Sequence, residues 1–428
     1  MSAAIETATA TALEERRRRA AAAWGGQPDL VLIGSGDPIS IAGCGDQVYE
    51  FMAHPEYVYL TDDVEPGALL AFDPQSGWQH FVPPVTQAER VWEGLTQRAG
   101  TPLTELAGWL AARRGRPIVT LGARLPGVAS DVTRTVESRR ALAQVRRAKD
   151  AIEVERMRHA ARATAVGYAA ARPHIRTGNT ERAIAIELEA GFRRGGGDRV
   201  AYGTIVGAGS NAAVLHFMPT ARTLSANDVV LIDAGAEVRR YCADVTRTYP
   251  AGGAFEGFAR DLFELVHAVE RETLARCVVG SRWRDIHLAA ALQILDGLAR
   301  LGIVKGTADA LLEQGVHTLF FPHGIGHMVG LGVRDVGPDL PRLAVQAPPH
   351  LMVRIDLTLE PGDTVTVEPG IYFIPALLDD TDKRREYVDA VHWSRVDALR
   401  SFGGIRIEDN VHVTAAGPEV LTEMIPVL

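Results

Sequence analysis

Four carboxylates stand inside stretches that otherwise read as buried strands, and no other feature of the chain restricts its fold so sharply. Asp233 closes the apolar run Val229-Val230-Leu231-Ile232, and Asp244 sits within Tyr241-Cys242-Ala243-Asp244-Val245-Thr246. Glu368 ends Val365-Thr366-Val367, and Glu408 follows Gly404-Ile405-Arg406-Ile407. A buried carboxylate without a partner is costly, so each needs a reason to be there. If the first two strands form a hairpin turning at Val238-Arg239, Asp233 lies directly opposite Asp244 on one face. Like charges placed that way repel unless a cation sits between them.

Four carboxylates balance two divalent cations in formal charge, so two metals fit the set better than one. The segment His323-Gly324-Ile325-Gly326-His327 offers an imidazole, with glycines that allow a close backbone approach. One of its histidines is a candidate ligand and the other a neighbour of the ligands. A hard, oxygen-rich set with one imidazole suits Mn²⁺, Co²⁺ or Zn²⁺. Cys44, Cys242 and Cys277 are too scattered for a disulfide framework or a C-x-x-C site, so oxygen and nitrogen must hold any metal.

With 53 acidic against 45 basic residues, the chain has no positive field to hold nucleic acid or an anionic membrane, and a small molecule or a small peptide or peptide-like substrate fits better as partner. No apolar run approaches the roughly 18 residues of a membrane span, and no signal-peptide pattern follows the start, so a cytoplasmic protein is expected. The basic run Arg16 to Arg19 reads as a solvated helix face. Gly324, Gly326 and Gly330 miss the dinucleotide-binding spacing, and no Walker A sequence is present.

The patterning divides the chain in two. Before residue 145, short strand patterns at Leu30-Val31-Leu32-Ile33, Tyr57-Val58-Tyr59-Leu60 and 68–72 mix with helices, as in a small α/β domain. Around Arg146-Arg147-Ala148-Lys149-Asp150 the charge rises and a long helical pattern begins, so domains of 1–145 and 146–428 are expected. The second should contain helices near 180–195, 257–278 and 284–302. Strands are expected at 202–207, 213–218, 228–234, 241–249, 364–368 and 404–413. Interleaved helices and antiparallel strands predict an α+β layer arrangement.

At these same residues the sequence resembles the pita-bread metallopeptidases, the family of methionine aminopeptidase, aminopeptidase P, prolidase and creatinase. The stretches that carry the likeness are Asn211-Ala-Ala-Val-Leu-His216, Leu231-Ile-Asp-Ala-Gly235, Ala243-Asp-Val-Thr-Arg-Thr248, Phe321-Pro-His-Gly-Ile-Gly-His327, Val367-Glu-Pro-Gly-Ile-Tyr-Phe373 and Gly403-Gly-Ile-Arg-Ile-Glu-Asp409. The resemblance implies a pita-bread catalytic domain preceded by a smaller creatinase-type domain, the latter visible in Tyr49-Glu50-Phe51, Tyr59-Leu60-Thr61 and Glu65-Pro66-Gly67. It also implies Asp233, Asp244, His327, Glu368 and Glu408 as ligands of two metal ions, Mn²⁺ first, and a homodimer or dimer of dimers. Within the family the likeness points to bacterial prolidase, the Xaa-Pro dipeptidase. That expectation rests on Ile371 to Leu378, on the insertion before Phe402, and on Arg354, which falls where prolidases keep a carboxylate-binding arginine.

Two positions depart from the pattern. Arg334 stands where the family usually has a histidine that contacts substrate, and Leu357 replaces a second prolidase arginine. A guanidinium cannot exchange protons near neutral pH as imidazole can, so Arg334 is expected to grip an anionic group on the substrate. The implied chemistry is hydrolysis by a hydroxide bridging two metals, with Glu368 as general base. His216 would hydrogen-bond the carbonyl oxygen, and His323 would contact the substrate. Arg406 is expected to orient carboxylates, with Thr246 in the same relation to Asp244. Tyr372 and Phe217 either line the pocket or pack in the core. The alternatives are an Xaa-Pro aminopeptidase, a hydrolase of the same fold acting on another amide, an amidine or a phosphotriester, and a non-catalytic binding protein.

Overall fold

A computed structural model describes residues 3–25, 29–343 and 350–428 and divides the chain into two units, Met1–Arg146 and Arg147–Leu428. In the first unit β1 (Leu30–Gly34), β2 (Leu69–Asp73), β3 (Gly77–Val82), β4 (Thr101–Pro102) and β5 (Ile118–Gly122) form one mixed sheet in the order β4-β3-β2-β1-β5. Leu30, Leu32, Leu69, Ala71 and Phe81 from its strands pack with Trp109 as this unit's core.

Two expectations fail here. Tyr57-Val58-Tyr59-Leu60 is not a strand but the body of a helix, Pro55–Thr61. Periodicity cannot assign a short, wholly buried apolar run, whereas Pro55 at the first turn and a cap from the His54 side chain favour helix. The basic run is also not a solvated face. Arg16 is buried, and Arg16 and Arg17 donate to the carbonyls of Tyr59 and Leu60, satisfying orphan acceptors at that helix's C-terminal end.

The second unit begins with helix Ala151–Ala171, whose N-terminus is closed by a capping box between Asp150 and Glu153. Helix Glu181–Arg194 packs along it. Strands β6 (Arg199–Val200), β7 (Ile205–Ala208), β8 (Val229–Asp233), β9 (Ala236–Val238), β10 (Tyr241–Cys242) and β11 (Thr246–Pro250) form two three-stranded sheets, ordered β11-β8-β7 and β10-β9-β6. Helices Gly257–Arg276 and Trp283–Arg300 pair with each other. The first of them lies on strands drawn from β12 (Thr364–Val367), β13 (Gly370–Tyr372), β14 (Gly404–Arg406), β15 (Asp409–Thr414) and β16 (Gly417–Val420). These strands make the sheet β12-β15-β16 and the pair β13-β14. Helix pairs backing antiparallel sheets are the α+β layering expected from the sequence.

The hairpin register differs from the expected one. The turn falls at Arg239-Arg240, both left-handed (φ 48° and 71°), so Asp233 pairs with Thr246 and Asp244 lies diagonal to it. Primed turns normally use Asn or Gly, and two arginines give the sequence no turn signal. Asp198, which accepts from the Arg239 N–H, and Glu237, which pairs with Arg240, offset the backbone strain. The shift is by two residues, so both aspartates keep the same face.

No strand forms at 213–218. A turn of 3₁₀ helix, Gly209–Ala213, leads into a loop whose polar groups are taken by the fully buried Glu181 carboxylate, which accepts from Ala208 N, Asn211 Nδ2 and Thr220 N. The strand expected at 404–413 is two strands in different sheets, with Glu408 at the break.

Candidate metal centre

Close backbone approaches carry the acidic residues together. Gly235 lies against the Ala243 carbonyl so tightly that a Cβ there would sit 1.9 Å from its oxygen, so this crossing between the segments bearing Asp233 and Asp244 admits only glycine. The segment around His327 runs beside β12: Thr366 N donates to His327 O and Glu368 N to Ile325 O, both at 2.8 Å. His327 and Glu368 thereby become neighbours. Glu408 is held by reciprocal backbone bonds with Thr246, through which the two sheets join.

All five candidate ligands are buried and face one cavity of about 370 Å³, which His216, His323, Arg334, Arg354, Arg406 and Tyr202 also line. Ligand atoms of Asp244, His327 and Glu408 lie within 4.8 Å of one another. His327 Nε2 is 3.3 Å from Asp244 Oδ2 and 3.7 Å from Glu368 Oε1. Arg406 holds Asp233 Oδ2 at 2.6 Å, and Thr246 donates to Glu408 Oε2 at 2.7 Å, so Thr246 serves Glu408 and not Asp244.

The electrostatics of this cluster call for positive charge. Burial, then the charges of Asp244, Glu368 and Asp233, push the Glu408 carboxyl well above its ordinary range against the pull of Arg406. Asp233 is pushed up to about 6 by burial and Asp244, opposed by Arg406. Asp244 is lowered: burial raises it, but the hydrogen bond and charge of His327 outweigh burial. His327 Nδ1 bonds the Met328 carbonyl at 2.8 Å, and a carbonyl only accepts, so the proton of a neutral ring is on Nδ1. Only a ring protonated on both nitrogens can give Asp244 that hydrogen bond; in the neutral ring the Nε2 lone pair faces carboxylate oxygens, and Glu368 Oε1 is buried with no donor among the described residues. A divalent cation resolves both conflicts, so the donor set fits a metal.

The remaining candidates fall into two groups. His216 is exposed in the cavity, and its pKa is lowered by burial and then by Arg406, Arg334 and Arg354, so its ring is neutral near neutral pH. Arg334 and Arg354 line the cavity's outer part. Tyr372, by contrast, is wholly buried and packs with Ile205, Val229 and Leu231, with the partly buried Phe217 against the same cluster. Its hydroxyl accepts from Arg406 and faces His323 Nε2 at 2.8 Å. His323 Nδ1 donates to Gly324 O, so Nε2 accepts the Tyr372 proton and both ring nitrogens are engaged within the protein. That leaves His323 no free donor for substrate.

Sequence reasoning missed Tyr202 and Asn410. The Tyr202 hydroxyl lies 2.6 Å from Asp233 Oδ1 and 2.5 Å from Asp244 Oδ1. Asn410 grips the Asp244 backbone at both N–H and carbonyl. A lone tyrosine in a loop and one asparagine beside Asp409 carry no pattern that would have singled them out.

Comparison with known proteins bears on both fold and family. A family model described as metallopeptidase family M24 matches residues 155–415. The chain is 31% identical over 408 residues to a probable Xaa-Pro aminopeptidase of Penicillium rubens, covering 88% of this chain and 87% of that one. It is 32% identical over 406 residues to another from Aspergillus fumigatus, covering 88% and 86%. Among solved structures, the aminopeptidase PepP of Pseudomonas aeruginosa superposes with a TM-score of 0.77 at 29% identity, over 97% of this chain and 95% of that one. Proline aminopeptidase P II of Yersinia pestis does so with 0.79 at 26%, over 97% and 96%. The pita-bread catalytic domain and its smaller N-terminal companion are thus shared with aminopeptidase P. These likenesses overturn the expectation of prolidase: it rested on Arg354 and two short stretches, whereas the whole-chain similarity runs to aminopeptidase P. The acidic cluster that needs a cation and the match over more than half its length agree that the chain belongs to metallopeptidase family M24 and is a metal-dependent peptidase.

Proposed function

We propose that the protein is an Xaa-Pro aminopeptidase, releasing the N-terminal residue of peptides whose second residue is proline. The supporting observation is the likeness to proteins of that name, which extends over 88% of the chain and so beyond the metal site itself. Asp233, Asp244, His327, Glu368 and Glu408 would hold two divalent cations, Mn²⁺ first among the candidates. When bound, such cations lower the pKa of solvent water and polarise the scissile carbonyl.

The protein's own groups do the rest. Glu368, whose buried Oε1 has no donor among the described residues, would take a proton from the attacking water and return it to the departing proline nitrogen. That nitrogen is tertiary in the peptide and offers no N–H, so the ring is recognised by shape, against Ile205, Leu215 and Met218 on the cavity wall. His216, neutral and exposed in the cavity, donates its N–H to the carbonyl oxygen as negative charge develops there. Arg406 keeps Asp233 aimed inward and, through the Tyr372 hydroxyl, fixes the His323 ring.

The test is an assay of the Mn²⁺-loaded protein on Xaa-Pro dipeptides, Xaa-Pro-Xaa tripeptides, matched Xaa-Ala controls, creatine and a phosphotriester, with metal analysis beside it. Cleavage of Xaa–Pro bonds with about two metal equivalents per chain is expected. Turnover of creatine or the phosphotriester alone would replace this reading by the second one, which Arg334 favours: a hydrolase of the same fold acting on another bond. The homodimer implied by the resemblance belongs to the same proposal and is checked by light scattering.

A further inference from the structure

We infer that Glu181 is a positioning residue: its carboxylate fixes both feet of the loop that carries His216 and so sets how far that imidazole reaches over the metal site. The inference rests on the peptidase reading and names a residue that governs its rate from outside the cavity. Glu181 is wholly buried, is not among the residues lining the cavity, and makes no ion pair with any described residue. Arg222, two residues beyond the loop's second foot, is taken by Asp228 at 2.9 Å. A carboxylate is almost never buried in this way without a partner charge, so its hydrogen bonds must account for it.

Those bonds go to the two ends of one segment. Glu181 Oε1 accepts from Ala208 N at 3.0 Å and Asn211 Nδ2 at 2.8 Å, and Oε2 accepts from Thr220 N at 3.1 Å and Thr220 Oγ1 at 2.6 Å. Glu181 opens the helix Glu181–Arg194, whose positive end favours a carboxylate, and the Arg182 N–H adds a bond to the Thr220 carbonyl at 3.0 Å. Between the two feet the chain belongs to no sheet, so these bonds replace a ladder in fixing its path. The first foot, Ala208, ends β7, in which Ile205 pairs with Asp233 on β8. The loop is thereby indexed to the strand that bears a candidate metal ligand. His216 itself has no hydrogen-bond partner among the described residues, so its aim is the loop's aim.

A donor that stabilises developing charge acts only at the right distance, and a misplacement of about 1 Å can cost about 100-fold. Glu181→Gln loosens the loop without changing the size of the side chain. Asn211 can turn its amide and the Thr220 hydroxyl can accept, but the Ala208 and Thr220 N–H groups only donate. Whichever oxygen becomes NH₂, one backbone foot then faces a donor.

The test is a double-mutant cycle on the full-length, Mn²⁺-loaded protein, read as kcat for Ala-Pro-Ala. Glu181→Gln should lower kcat by about 10- to 100-fold at unchanged metal content, and by less than about 3-fold in a His216→Ala background. An equal loss in both backgrounds, no loss in either, or loss of metal in its place overturns the inference, because a merely structural role acts on both backgrounds alike. If Glu181→Gln does not fold, Asn211→Ala and Thr220→Val carry the same cycle with smaller losses, since each removes one bond and leaves both backbone feet paired.

Failure of the peptidase reading is a separate result. If the wild-type protein cleaves no peptide, that reading falls, and Glu181 is judged by amide hydrogen exchange. Exchange quickened within 208–220 by Glu181→Gln supports the inference. Exchange unchanged there, or quickened equally throughout the second unit, overturns it.

Discussion

The Tyr202 hydroxyl carries one proton and faces two carboxylates, so it can satisfy only one at a time. Its role is to hold Asp233 and Asp244 in register while the second carboxylate waits for a cation. Tyr202→Phe should therefore leave the fold intact by circular dichroism yet weaken metal binding by about 10- to 100-fold, the usual effect of removing a ligand's supporting hydrogen bond. Titration of the metal-free variant with Mn²⁺, followed calorimetrically, checks this; unchanged affinity would remove Tyr202 from the site. At this scale the sequence was informative where charge and environment conflict. Asp233, Asp244, Glu368 and Glu408 stand out because carboxylates do not belong in apolar strands. Tyr202 and Asn410 conflict with nothing around them, and only their reach in three dimensions marks them.

Elements reach the site through crossings that exclude side chains. A Cβ on Gly326 would lie 2.0 Å from the Thr366 carbonyl oxygen, beside the backbone bonds that seat His327 and Glu368. Gly326→Ala should cost about 1–3 kcal/mol in urea unfolding, the range for overpacking, and should also reduce Mn²⁺ affinity because the His327 segment must move off β12. Gly108→Ala is the control, since nothing lies within 4 Å of that position and the residue is helical. It should be neutral or stabilise by up to about 1 kcal/mol. Helix positions in the second unit were legible because amphipathic periods are long and redundant. The hairpin turn was not, because Arg239-Arg240 adopts left-handed backbone that the residue types disfavour and that Asp198 and Glu237 sustain from outside the turn. Tyr57-Val58-Tyr59-Leu60 was misread for a related reason: burial on every side erases the periodicity that separates helix from strand.

For the molecule as a whole, metal bound by the proposed ligands would tie together segments far apart in the chain: β8, the loop before β11, the His327 loop, the residue after β12 and the residue before β15. Binding the folded state alone adds stability by mass action, about 2.7 kcal/mol at a free metal concentration of 100 times Kd. Chelation should accordingly lower the melting temperature, Mn²⁺ should restore it, and Asp244→Asn should lose most of that response in a thermal scan. A melting temperature indifferent to chelator and metal would count against a metal centre in this cluster.

The α+β layering and the conflict between charge and apolar surroundings at the four carboxylates were determined by sequence alone, since hydrophobic period and misplaced charge are local properties of the chain. Tertiary structure decided the Asp233–Thr246 register, the break that places Glu408 between sheets, the burial of Arg16 and Tyr372, and the hold of Glu181 on the loop that carries His216. Each of these depends on which distant group claims a hydrogen bond or an ion pair first, and that competition is settled only when the chain is folded.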